Sequence, residues 1–305
     1  AGRHVPNAQV EVGTDGQLLF RGVTDSHGTI AFFPNGYGEV TKNVDRFDVV
    51  VAANGETLAT SMTRGESGDD PWIITLPTER DMPSVVPISI CFLIDTTGSM
   101  GDEIAQLQQS LDSVVQRIAK VEGNVELSFA MVLYRDLGDE YVTQRHDFMT
   151  DLAAFRAKLA EVGADGGGDY PEDLQEGLRV AVEELSWPRM EGLNLCFLIG
   201  DARPQLMYEG RTTYIESAFR ARERGIKIFS LAASGLCPDG EYVFRQVAQL
   251  TAGKFLFLTY GPADSTPHQV GEAGRDYQSN RLDDVIVRSA ADEITAFRSE
   301  RLSPQ

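Results

Sequence analysis

From residue 87 onward the chain alternates short, continuous apolar runs with stretches of helical periodicity, and that alternation leaves few folds open. Pro87–Ile94, Val125–Tyr134, Leu193–Ile199, Lys227–Ala232 and Lys254–Leu258 read as strands. Asp102–Val121, Leu152–Val162, Pro171–Leu185, Thr213–Arg224, Glu241–Thr251 and Leu282–Phe297 read as helices. In the first helix Ile104, Leu107, Leu111, Val114, Val115 and Ile118 recur at i, i+3, i+4 spacing, the mark of one buried face. Strands that are apolar at successive rather than alternate positions are buried on both sides, which requires a parallel sheet with helices above and below. The predicted class is α/β, a doubly wound, mostly parallel, Rossmann-like sheet.

Residues 1–82 are written differently. Ala8–Val12, Leu18–Val23, Thr29–Phe33, Phe47–Ala53, Glu56–Ser61 and Trp72–Leu76 are short β-type runs, separated by Asp15-Gly16, His27-Gly28 and Asn54-Gly55 among other turns. Asn-Gly between two such runs marks a tight hairpin, because both central turn residues need positive φ. A small all-β sandwich is the expected unit. Residues 78–86, bracketed by Pro77, Pro83 and Pro87, form a stiff linker. We therefore divide the chain at 1–82 and 83–300, with a tail at 301–305. Residues 261–280 form a polar loop to which we assign no role.

The first strand of the second segment runs directly into Asp95-Thr-Thr97-Gly-Ser99-Met. A carboxylate and two hydroxyls at alternate positions thus follow a strand end, where an open parallel sheet presents its ligands. Oxygen donors of this kind suit a hard cation, Mg²⁺ or Ca²⁺ with Mn²⁺ able to substitute, rather than zinc or copper. The competing reading is a helix N-cap, a task that takes one such residue and not three. Two further acidic loops fall at strand ends: Asp165-Gly-Gly-Gly-Asp169-Tyr-Pro-Glu172-Asp173, which precedes a helix, and Gly200-Asp201-Ala-Arg203, which follows a strand. Asp95, Asp169 and Asp201 are expected to converge above the sheet, with Thr97 and Ser99 completing the oxygen shell. Glu172 is a second candidate for the place given to Asp169, and N-capping of the next helix competes for Asp169 itself. Asp102 and Glu103 are read as first-turn acids favoured by the helix dipole, the alternative being a second ion. Arg135, Arg203 and Tyr170 are placed at the rim, either as ligand contacts or in local salt bridges.

Taken together these motifs resemble the von Willebrand factor type A domain and its metal-ion-dependent adhesion site. The resemblance spans residues 87–300 and includes Tyr134-Arg135-Asp136 and Ala232-Ala-Ser-Gly235, as in bacterial surface or secreted members. Asp95-x-Thr97-x-Ser99 carries Thr where the family commonly has a first Ser, and Asp169 stands where it commonly has Thr. The added carboxylate favours Ca²⁺. The family resemblance implies that the bound ion coordinates an acidic residue of a partner protein. It implies no catalytic residues, no cofactor besides the ion, and no enzymatic turnover. The first segment, with Pro6-Asn-Ala8-Gln-Val10-Glu-Val12, Gly16, Phe20, Thr24-Asp25, Gly28 and Phe32, is similar to carboxypeptidase-regulatory or transthyretin-like modules, which serve as stalks and spacers in secreted proteins. An extracellular or cell-surface protein is the expectation from both.

Composition narrows the alternatives. A formal net charge of −19, from 46 acidic and 27 basic residues, repels phosphate backbones and argues against nucleic acid. No apolar run reaches the roughly 20 residues of a membrane span. The three cysteines, Cys91, Cys196 and Cys237, do not make a disulfide framework; two lie in apolar runs as small hydrophobes. The chain opens at Ala1 rather than Met, which we read as processing or trimming. Glycines 166–168 lack the Gly-Lys-Ser/Thr of a phosphate loop. A haloacid dehalogenase-like phosphohydrolase with Asp95 as nucleophile is the alternative enzyme, but Lys227 follows Gly200-Asp201 where that family needs a lysine before it. An intracellular assembly subunit for an ATPase is the remaining alternative.

Overall fold

The structure, a computed structural model, describes residues 3–65, 71–77, 79–121, 124–168, 170–188, 192–259 and 280–299. Residues 261–279 of the loop expected at 261–280 and the tail at 301–305 lie outside them, as does Asp169.

Six strands make the larger sheet: β5 (Val85–Asp95), β6 (Asn124–Tyr134), β7 (Thr143–Met149), β8 (Leu193–Gly200), β9 (Ile226–Ala232) and β10 (Phe255–Phe257), in the order β10-β9-β8-β5-β6-β7. All neighbours pair in parallel except β6 and β7. The continuous apolar runs are explained by burial on both faces. Ile88, Ile90, Phe92 and Ile94 of β5 pack on one side with α1 (Gly101–Ala119), α2 (Leu152–Ala160) and α6 (Leu282–Arg298). Cys91 and Leu93 point the other way, towards α3 (Leu174–Arg179), α4 (Tyr214–Glu223) and α5 (Pro238–Leu250). This is the period-2 alternation of a pleated strand with apolar residues on both faces. Stacked Phe197 and Phe229, with ring centroids 5.3 Å apart, and Phe92, 6.1 Å from Phe197, fill the first layer. Cys91 and Cys196 lie opposite each other on adjacent strands as buried free thiols.

Two elements depart from expectation. β7, Thr-Gln-Arg-His-Asp-Phe-Met, is an antiparallel edge strand that the sequence reading passed over, since its half-exposed position demands no apolar run. The helix expected over 171–185 begins only at Leu174, after Asp173 caps it by accepting from the Glu176 N–H at 3.1 Å, and its last turn, Val180–Glu184, is π-helical. α4 carries a capping box, with Thr213 and Glu216 each bonding the other's backbone N–H. Thr213→Ala is expected to lower the stability of the chain by about 1 kcal/mol, read as a shift in the urea midpoint at constant slope.

The amino-terminal segment forms a four-stranded antiparallel sheet, β2-β1-β3-β4, from β1 (Gln9–Thr14), β2 (Gln17–Val23), β3 (Arg46–Ala53) and β4 (Glu56–Thr63). The Asn54-Gly55 hairpin stands as expected, with both residues at positive φ. The runs at 29–33 and 72–76 are not strands among the described residues. They lay Ile30, Phe32, Trp72, Ile74 and Leu76 over the core of Val10, Phe20, Phe47 and Val49 without joining its ladder, so apolar alternation there reports packing and not pairing.

Candidate metal centre

The chain order of the large sheet places the candidate residues together. β5 leads through α1 to β6 on one side, whereas β8 leads through α4 to β9 on the other. The crevice between the carboxyl ends of β5 and β8 is therefore the topological switch point, where such sheets bind ligands. Asp95 ends β5, and Asp201 follows the end of β8. The turn from β5 into α1 carries Thr97 and Ser99. None of the three oxygen-bearing side chains caps α1, whose N-cap is Met100 with no side-chain bond, so the capping alternative for this cluster does not hold.

Asp95 is fully buried, and its Oδ1 accepts from the Thr97 N–H at 2.9 Å and from the Thr97 hydroxyl at 2.7 Å. A hydroxyl that spends its proton on a carboxylate turns its lone pairs outward. Asp95 Oδ2 is buried with no hydrogen-bond partner among the described residues. Burial, opposed by the two Thr97 bonds and aided by the charge of Asp201, pushes the Asp95 carboxyl up to about 7. Asp201 is also raised by burial, against a hydrogen bond from Ser99. Asp95, Asp201, Thr97 and Ser99 thus meet in one crevice.

The loop before α3 closes the third side. Gly167 has φ +72°, and a Cβ there would fall 2.8 Å from Thr97 Cβ and 3.6 Å from Glu172 Oε1. Only glycine admits this approach, which sets buried Glu172 across from Thr97. Glu172 is pinned to the Asp201 loop, its N–H donating to the Arg203 carbonyl at 3.1 Å and its carbonyl accepting from the Gln205 N–H at 2.7 Å. The capping role that competed for Asp169 belongs to Asp173, which also pairs with Arg211 at 2.7 Å.

The rim residues divide. Arg135 is buried over the Tyr141 ring and donates to the carbonyl and hydroxyl of Thr96, so it braces the loop. Arg203 and Tyr170 stay exposed, and the Tyr170 hydroxyl accepts from the Arg203 N–H at 3.1 Å. Glu103, a first-turn acid favoured by the helix dipole on the sequence alone, is also buried. Burial first, then the charges of Asp201, Asp102 and Asp95, push its carboxyl up to about 7. The helix phase carried the signal: Glu103, Leu107 and Leu111 fall at i, i+4 spacing on the inward stripe.

No three His, Cys, Asp or Glu side chains among the described residues form a cluster able to hold a metal by themselves. The donor set is one of carboxylates interleaved with hydroxyls. All its atoms are hard oxygens, it carries a surplus of negative charge in a buried place, and one inner oxygen is unpartnered. Those features fit a hard divalent cation.

A family model described as the von Willebrand factor A domain matches residues 89–259. Hemicentin-2 of Mus musculus is 29% identical over 182 residues, covering 60% of this chain and 3% of that protein. Hemicentin-1 of Homo sapiens is 26% identical over 176 residues, again 3% of its length. The chain therefore spans only a small part of these relatives. Von Willebrand factor A domain-containing protein 7 of Rattus norvegicus is 31% identical over 136 residues, 44% of this chain and 14% of that protein. Among solved structures, the pilus adhesin SpaC of Lactobacillus rhamnosus GG in its open conformation aligns over 83% of this chain and 32% of its own, at 13% identity and a TM-score of 0.49.

Proposed function

The chain belongs to the von Willebrand factor A domain family, and we propose that it is a protein-binding, adhesion-type module. Asp95, Thr97, Ser99 and Asp201 hold one divalent cation, Mg²⁺ or Ca²⁺, with the 165–173 loop supplying a further carboxylate. Glu172 is that ligand by its place opposite Thr97; Asp169, expected from the sequence, lies outside the described residues. A bound ion supplies an open coordination position to an acidic side chain of a partner protein. The segment 1–82 spaces this head, and we place the protein outside the cell or at its surface. Among the described residues no helix is long and apolar enough to cross a membrane.

The observation that carries the reading is Asp95 Oδ2, buried and unpartnered at the switch point beside Asp201. Turnover is not part of it. A phosphotransfer reaction at Asp95 calls for a lysine beside the nucleophile, and Lys227 is engaged instead by Glu293 and Asp25 at the opposite ends of the strands. Calorimetric titration of Mg²⁺, Ca²⁺ and Mn²⁺ into chelator-treated protein tests the site: one saturable event supports it, and no heat from any of the three ions overturns it. Release of nitrophenol from an aryl phosphate would instead favour the phosphohydrolase.

A cation at this site competes with protons for Asp95, whose carboxyl burial pushes up to about 7. The rise in melting temperature produced by saturating Ca²⁺ is therefore expected to be full above about pH 8 and to shrink as the pH falls through 7. Equal rises at pH 8 and at pH 5.5, measured by scanning calorimetry, would exclude carboxylates as the ligands.

A further inference from the structure

Tyr134 ends β6 directly opposite Asp95 in the parallel register. Its side chain is fully buried, and its hydroxyl has no hydrogen-bond partner among the described residues. A phenylalanine would fill the same slot without burying an orphan hydroxyl, which is costly to desolvate. The surroundings are cut to admit this side chain. A Cβ on Gly177 of α3 would fall 3.1 Å from Tyr134 Cβ and Cγ, and a Cβ on Gly200 would fall 2.6 Å from the hydroxyl and 3.3 Å from Asp95 Cβ. The ring is slotted between two positions that carry no side chain, and its hydroxyl is delivered under the crevice. The hydroxyl, neutral as any phenol is near pH 7, is a donor set at the Gly200 position beside Asp95.

We propose that Tyr134 is a positioning residue of the cation site, its hydroxyl, unpartnered in the ion-free protein, being a donor held in place for the carboxylates at the ends of β5 and β8 once they engage an ion. This rests on the proposed divalent-cation site. In the ion-bound state a neutral donor beneath the crevice would satisfy a carboxylate oxygen without adding a positive charge that competes with the ion. Gly200 belongs to the same device, because any side chain there would displace the hydroxyl.

Tyr134→Phe deletes one oxygen and tests this by two readouts of opposite sign. The affinity for Ca²⁺, measured by calorimetry, is expected to fall about tenfold or more. The melting temperature of the chelator-treated variant is expected to stay level or rise, since an unpaired buried hydroxyl has gone. Unchanged affinity overturns the inference while leaving the site intact. A joint fall in affinity and in ion-free melting temperature also overturns it, because the residue is then only a packing element. A wild type that binds no cation overturns the site and the inference together. Gly200→Ala is expected to lower both quantities, and adding Tyr134→Phe to it to restore the melting temperature but not the affinity; recovery of both would again reduce Tyr134 to packing.

Discussion

Asp95→Asn is expected to abolish divalent-cation binding and to make the ion-free protein more resistant to heat. Asparagine keeps the acceptor that receives two hydrogen bonds from Thr97, so the turn into α1 has no reason to change. It removes the buried charge whose burial holds the carboxyl at about 7 instead of the ordinary 3.8. At about 1.4 kcal/mol per tenfold change in proton affinity, that displacement costs the folded, ionised state roughly 4 kcal/mol. The sign follows from linkage. A carboxyl raised on folding destabilises increasingly above its unfolded pKa, and the penalty is complete above the folded one. The gain from Asp95→Asn is therefore largest near pH 8, shrinks as the pH is lowered, and is nearly gone at pH 4. We expect a melting temperature at least about 5 °C above that of ion-free wild type at pH 8. Cation affinity should fall by at least about 100-fold, more than removal of an outer-shell contact produces. A variant that melts lower at pH 8 would show that Asp95 is a structural acceptor and not a charge held in reserve for a ligand.

Much of this was legible before any coordinates, for identifiable reasons. Parallel strands buried on both faces, such as Val85–Asp95 and Leu193–Gly200, need apolar residues at successive rather than alternate positions. Asp95, Thr97, Ser99 and Asp201 were legible because a switch point lies at strand ends, and strand ends can be read from where apolar runs stop. What stayed hidden depends on tertiary placement. Tyr134 closes an apolar run and reads as one more core aromatic; only the missing side chain of Gly200 reveals where its hydroxyl goes. Glu103 carried two signals, a first-turn acid and an inward helix phase, and the weaker-looking one described its burial. β7 and the runs at 29–33 and 72–76 failed in opposite directions, since an edge strand needs no apolar pattern and an apolar pattern needs no ladder.

The contact between the two sheets was wholly illegible, because its partners are far apart in the chain. Lys227, at the start of β9, donates to both oxygens of Glu293 on α6 at 2.9 and 2.8 Å and reaches Asp25 of the amino-terminal segment at 3.3 Å. Ser26 adds a bond of 2.5 Å to Glu293. Around this cluster His4 bonds the Ala296 carbonyl, Asn7 donates to the Gly192 carbonyl, and Arg222 of α4 lies over the Phe20 ring. Asp25 is well supplied with donors from His27 and Thr29, so loss of the lysine falls mainly on Glu293, a buried carboxylate left with Ser26. Lys227→Met is therefore expected to destabilise the chain by about 3–5 kcal/mol, the range for breaking a buried pair from one side. Lys227→Met with Glu293→Leu is expected to recover most of that, because apolar groups of similar volume replace the pair without stranding a charge. Urea unfolding followed by tryptophan fluorescence reads both. A loss under about 1 kcal/mol in the single variant would place the cluster with exposed ion pairs. Five residue steps along β9 separate Lys227 from the strand's carboxyl end at Ala232, about 17 Å at roughly 3.3 Å per residue. Cation affinity at Asp95 and Asp201 should therefore survive Lys227→Met, so that a fall in stability with affinity intact assigns this cluster to holding the two sheets together and the opposite pole to binding.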